Sequence, residues 1–262
     1  MRDEENRRIG LPAQSPSMLL LTIYDIMRSF SLHAAMSLFG GGINAMSSTG
    51  DSDFRAHPAF SRFYLIAGSL LNRLVGPARQ VQSTMAQGLT LIAGAGSGLD
   101  VDLVLKATRD VVLLEPDPTF IAHLHARYPN LPLLATPAER IQASDNTYDT
   151  ILSSLVLCSV QNLNAALKEF HRVLKPGGQF LFLEHGRHPA HWASQIQTIL
   201  DPVWTRLNGG CHLTRDVLDA ITANGLTIQR ADYVSTNPVA PLLAGQATKG
   251  ANPRQILREI PH

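Results

Sequence analysis

The chain has 262 residues and a mass of 28.5 kDa, enough for one large domain or one domain with an appended segment. Hydrophobic residues make 45% and charged residues 16%, with 19 glycines and 16 prolines, which excludes a collagen-like or mainly disordered chain. The 22 basic and 21 acidic side chains leave a net charge of +1, so no global field gathers nucleic acid or anionic lipid. Cys158 and Cys211 are the only cysteines, too few for a disulfide framework, and we expect a reducing, cytoplasmic setting.

The apolar run Met18 to Tyr24 is cut by Asp25 and Arg28, well short of the roughly 18 apolar residues that a membrane span needs. The mixed charges Arg2, Asp3, Glu4, Glu5, Arg7 and Arg8 do not read as a signal peptide. Leu20, Ile23, Tyr24, Met27, Phe30 and Leu38 recur at helical intervals, predicting an amphipathic helix that could cover a pocket, a partner or a bilayer surface. Gly40-Gly41-Gly42 and Ser47 to Asp51 follow as a flexible stretch. The expected division is an N-terminal extension over 1–56, a main domain over 57–250 and a tail over 251–262.

A second helical pattern, from His57-Pro58 through Leu74, is expected to stop at Gly76-Pro77. The rhythm then changes to short apolar runs at Leu89–Ala93, Val111–Leu114, Leu131–Ala135, Tyr148–Ser153 and Gln179–Leu183. Helix-length segments separate them, which predicts buried parallel strands joined by crossover helices in a doubly wound α/β sheet.

The first of these strands runs into Gly94-Ala95-Gly96-Ser97-Gly98, and a helical pattern begins at Leu99. Glycines here let the chain turn tightly and let a ligand approach the strand's carboxyl end. The third glycine stands at Gly98 rather than at Leu99, so the loop is not the G-x-G-x-x-G of a dinucleotide site; the compact form favours S-adenosylmethionine. The second strand ends at Glu115-Pro116-Asp117, 17 residues beyond Gly98. A carboxylate at that tip can accept from both hydroxyls of a ribose, while Asp117 with Pro118 reads as a helix cap.

These residues resemble the class I S-adenosylmethionine-dependent methyltransferases. The resemblance also rests on Thr136-Pro137-Ala138-Glu139, Tyr148 to Leu152, and Leu174-Lys175-Pro176-Gly177-Gly178. More narrowly, Leu155 to Val160, Phe182 to His185, Leu200 to Trp204 and Gly210 to Arg215 look like the methyltransferase-like 7 group, whose vertebrate members methylate thiols. The ubiquinone, menaquinone and phospholipid methyltransferases are less similar.

The resemblance implies a Rossmann-like seven-stranded sheet of methyltransferase type. It further implies that Gly94, Ala95, Gly96 and Gly98 hold the amino-acid end of S-adenosylmethionine, Glu115 and Pro116 its ribose, Ala138 and Glu139 its adenine. The backbone at Ser153, Ser154 and Leu155 would lie near the methionine part. Ile92 and Pro137 stand where the family usually carries acidic residues.

Methyl transfer from a sulfonium needs alignment more than a metal or an oxyanion hole, and a thiol acceptor reacts as thiolate. His185, Asp201 and His212 are the candidates to orient or deprotonate an acceptor; a backbone-bonded loop histidine and an Asp201 cap with Pro202 at N1 are the alternatives. Tyr24, Tyr64, Trp192 and Trp204 are the candidate acceptor contacts. His185, His188 and His191 have a metal-like spacing, but Gly186 and Pro189 break any shared helix face, and we expect no metal. Cys158, in an apolar run, reads as packing. The expected activity is methylation of a small hydrophobic molecule, thiol first and nitrogen or oxygen next. The alternatives are quinone or phospholipid methylation, or a non-catalytic methyltransferase-like partner protein.

Overall fold

A computed structural model describes residue 54 and residues 56–250. The amphipathic helix expected around Leu20 to Leu38, Tyr24 with it, the flexible stretch and the tail over 251–262 lie outside the described residues. Among the described residues no helix is long and apolar enough to cross a membrane.

Helix α1, Pro58–Thr84, precedes β1 (Thr90–Ala93), α2 (Val101–Val104), β2 (Val111–Leu114), α3 (Pro118–Arg127), β3 (Leu133–Leu134) and β4 (Tyr148–Ser154). Then come α4 (Leu163–Val173), β5 (Leu174–His185), α5 (His191–Leu207), α6 (Val217–Ala223), β6 (Leu226–Ser235) and β7 (Leu242–Lys249). The seven strands form one sheet in the order β3-β2-β1-β4-β5-β7-β6. Neighbours from β3 to β5 are parallel, and β7 lies antiparallel between β5 and β6. All loops that leave the carboxyl ends of the parallel strands therefore gather on one edge, where open α/β sheets take their ligands.

Strand alternation sends the core to both faces of the sheet. Leu91, Ile151, Phe180 and Phe182 join Phe170 and Leu167 on one face; Ile92, Leu152 and Leu181 join Val101, Val104 and Leu124 on the other. Ile92 is fully buried in this second layer, so its apolar side chain is consumed by packing.

The first expected helix does not stop at Gly76-Pro77. It continues to Thr84 with Pro77 inside it, although a proline costs an interior helix a hydrogen bond. Beyond the proline, buried Arg79 pairs with Asp100, and Gln82 Nε2 donates to the Gly245 carbonyl at 2.8 Å. These anchors hold the last turns on the sheet. The helix after the glycine loop is shorter than its apolar pattern, only Val101–Val104. Strand β5 is longer than expected: Leu174 pairs with Tyr148 and Gln179 with Thr150, so 175–178 bulge between the paired ends.

Candidate functional site

Ala95 N donates to Leu114 O at 3.0 Å, tying the glycine loop to the tip of β2. A Cβ at Gly94 (φ +64°) would stand 2.4 Å from Val156 Cγ2, so this position is closed to any side chain. Gly96 (φ +54°) faces open space, with only Gly94 O at 3.8 Å, so a Cβ there would protrude into the mouth of the loop. Gly98 is packed under the Tyr128 ring, and its carbonyl accepts from Tyr128 Oη at 3.2 Å.

Glu115, just past β2, is buried. Its Oε2 accepts from Gly96 N at 2.8 Å and its Oε1 from Asp117 N at 2.9 Å. Burial pushes its carboxyl up to about 7 against the pull of these two N–H groups. Asp117 is the cap of α3, accepting from Thr119 N at 2.8 Å and Phe120 N at 3.4 Å, and it also accepts from Ser61 Oγ at 2.8 Å. Pro116 is half-buried between the two acids. Past β3, Ala138 is buried, while Glu139 Oε1 accepts from Gln161 N at 2.7 Å and Asn162 N at 3.1 Å. Glu139 thus latches the loop after β3 to the loop after β4.

Ser97 Oγ and Thr136 Oγ1 are buried without a hydrogen-bond partner among the described residues. They stand at the carboxyl ends of β1 and β3, on either side of Glu115. Two orphaned hydroxyls, a carboxylate and an unfilled cradle at Gly96 fit a polar, hydroxyl-bearing ligand lying across these strand ends.

Glu184, fully buried near the end of β5, organises the tip of β4. Its Oε1 accepts from Ser153 Oγ at 2.7 Å and Val156 N at 3.1 Å, its Oε2 from Cys158 N at 3.3 Å. Burial raises its carboxyl. Between these contacts Leu155 adopts φ +61°, a conformation that costs a non-glycine residue of order 1–3 kcal/mol and recurs at ligand sites. Ser153 therefore spends its hydroxyl on Glu184 and offers a ligand only backbone. Ser154 Oγ donates to Asp100 Oδ1 at 3.2 Å, and Asp100 pairs with buried Arg79.

On the other side of β4 the candidate acceptor residues converge. His185 ends β5, with its Nδ1 3.4 Å from Cys211 Sγ and its ring edge-on to Trp204 at 6.2 Å. His212 Nδ1 lies 3.0 Å from Asp201 Oδ2, Leu213 N donates to Asp201 Oδ1 at 2.5 Å, and His212 N donates to Cys158 O at 2.7 Å. The alternative reading of Asp201 as a helix cap is corrected: Asp201 and Pro202 lie inside α5, and the carboxylate points across to the 211–213 segment.

The three aromatic candidates among the described residues make different ring contacts. Trp204 reaches His185, and Tyr64 stacks on Phe60 at 5.7 Å and meets Phe120 edge-on at 6.3 Å. Trp192 is 52% exposed beside His188. His188 Nδ1 accepts from Ala190 N at 3.0 Å. Phe60 also abuts Gly209, where a Cβ would come within 2.6 Å of the ring, so the start of α1 covers the 209–210 turn.

Four contributors escaped the sequence reading: Glu184, the Arg79–Asp100 pair, Arg215, which donates to the Leu157 and Val160 carbonyls, and Cys211 as a neighbour of His185. Charges inside apolar patterns, Glu184 after Phe180–Leu183 and Arg79 in α1, were the available signal.

A methyltransferase-domain family model matches residues 91–182. Human "Thiol S-methyltransferase TMT1A" is 31% identical over 172 residues, covering 61% of this chain and 70% of that protein. Rat "Thiol S-methyltransferase TMT1B" is 28% identical over 202 residues, covering 72% and 82%. Among solved structures, an S-adenosylmethionine-dependent methyltransferase from Thermotoga maritima superposes with a TM-score of 0.56 at 19% identity, covering 72% of this chain and 97% of that one.

Proposed function

Because the chain belongs to the class I S-adenosylmethionine-dependent methyltransferases, with S-adenosylmethionine as methyl donor, we propose that its acceptor is a small hydrophobic thiol. Nitrogen or oxygen acceptors come next. The observation that carries this reading is the Asp201–His212 pair, which His212 N ties to the Cys158 carbonyl past β4 while the adjacent Cys211 lies against His185 at the end of β5. The thiol acceptors named for the relatives support it.

Gly94, Ala95, Gly96 and Gly98 would cradle the amino-acid end of the donor, and Glu115 with Pro116 its ribose. Ala138 and the loop latched by Glu139 would border adenine, with Ser97 and Thr136 hydroxyls available to it. The backbone from Ser153 to Leu155 would face the methionine part. The donor supplies a methyl group on a sulfonium that is already positive, so the protein's task is alignment and exclusion of water.

Asp201 holds the His212 ring through Nδ1, leaving Nε2 as the atom that takes the acceptor's proton. With the donor bound, the acceptor sulfur would receive its methyl group and the donor would leave as a neutral thioether. Tyr64 and Trp204 would supply apolar walls. The test is incubation with labelled donor and a panel of thiols, phenols, heterocyclic amines and quinones. Methylated thiol is the expected principal product, and label confined to phenols, amines or quinones would overturn the acceptor assignment.

A further inference from the structure

Cys158, His185 and Cys211 come from three separate segments, yet one ligand atom of each lies within 4.8 Å of the others. Their sequence positions, 27 and 26 residues apart, carry no motif, and only the fold unites them. We propose that these three side chains bind a soft, thiophilic divalent cation of the zinc class.

The geometry suits such an ion. Tetrahedral zinc bonds of about 2.3 Å to sulfur and about 2.0–2.1 Å to nitrogen place S and N vertices about 3.5 Å apart, and two sulfurs about 3.8 Å apart. Cys211 Sγ and His185 Nδ1 are already 3.4 Å apart. Each ligand is also fixed from behind. Glu184 accepts from Cys158 N, Thr205 Oγ1 donates to Cys211 O at 3.0 Å, and His185 is the last residue of β5. Such outer support is what holds a metal site in register. Two thiolates balance the charge of a divalent ion, so the buried cluster would be neutral once its protons are displaced.

Three protein ligands leave a fourth, exchangeable position. If the acceptor is a thiol, as proposed above, its sulfur can take that position as thiolate while its proton passes to His212 Nε2; this part alone rests on that reading.

The experiment loads the reduced, chelator-stripped full chain with cobalt(II) and measures absorption, with zinc retention quantified by elemental analysis. The expected result is a thiolate-to-cobalt charge-transfer band saturating at one equivalent and lost on adding zinc. Cys211→Ser should remove the band, and His185→Gln should weaken binding roughly tenfold or more, with circular dichroism confirming that each variant folds. Cys158→Ser is the companion variant; since Cys158 is the deeper thiol, Cys211→Ser decides if it misfolds. A folded, reduced protein with no band, or zinc retention unchanged in Cys211→Ser, overturns the site. A band that forms but does not shift when a small thiol is added keeps the metal site and overturns acceptor coordination. Because the readout is spectroscopic, failure of the methylation assay leaves it intact.

Discussion

Removing the carboxylate of Asp100 isolates a buried ion pair that supports the tip of β4. Asp100 and Arg79 pair with side-chain exposures of 5% and 4%, and Asp100 Oδ1 also accepts from Ser154 Oγ at the tip of β4. Burial raises the Asp100 carboxyl while Arg79 pulls it down, so the pair is held by mutual need rather than by a large net gain. Asp100→Ala leaves the buried guanidinium without its counter-charge, with Asn72 Oδ1 still accepting from its Nε at 3.1 Å, a change that costs about 3–5 kcal/mol. With a urea slope of about 2–3 kcal/mol/M, the unfolding midpoint should fall by about 1–2 M. Replacing both partners, Arg79→Met with Asp100→Leu, should return stability to within about 1 kcal/mol of the parent, since no buried charge is left unpaired. The assay is equilibrium urea unfolding followed by far-ultraviolet circular dichroism on the three proteins. A single variant within about 1 kcal/mol of the parent, or a double variant no better than the single, would refute the reasoning.

The remaining predictions concern the site. Gly94→Ala should destabilise the fold, because its Cβ meets Val156 at 2.4 Å. Gly96→Ala, facing open space, should melt within a few degrees of the parent and yet lose donor binding by calorimetry; equal melting points for the two variants would contradict the packing argument. Glu115 titrates at about 7, and its ionised form is the better acceptor for ribose hydroxyls. Donor affinity should therefore be full above pH 8 and fall about tenfold per unit below pH 7, a dependence that Glu115→Gln should flatten while weakening binding throughout. The folded-state value is raised, so the unliganded protein shows the opposite sign. The contribution of Glu115 to stability is fully present below about pH 4.5 and is lost as pH rises through 7. Asp201→Asn should lower kcat for thiol methylation roughly tenfold to a hundredfold with little change in donor Kd, and steady-state kinetics over a pH series measures both.

The order of strand, glycine loop, acid-tipped strand and later strands is a local property of the chain, written in apolar runs of strand length and in the spacing of Gly94, Gly96 and Gly98. For that reason the parallel sheet, the Asp117 cap and the placing of Glu115 at a strand tip were all readable without coordinates. The long run of α1 past Pro77 was not, because its last turns are held by Asp100 and Gly245, 21 and 163 residues away from their partners in the chain. Nor was the bulge in β5, which depends on its pairing with β4. Glu184 looked like any acid at a strand end until the fold wrapped Ser153, Val156 and Cys158 around it. The same holds for Asp201 with His212 and for Cys158, His185 and Cys211. Periodicity and turn chemistry act over a few residues and fix which segments become strands and helices; the meeting of side chains from distant segments depends on sheet order and helix packing, and only the folded chain decides it.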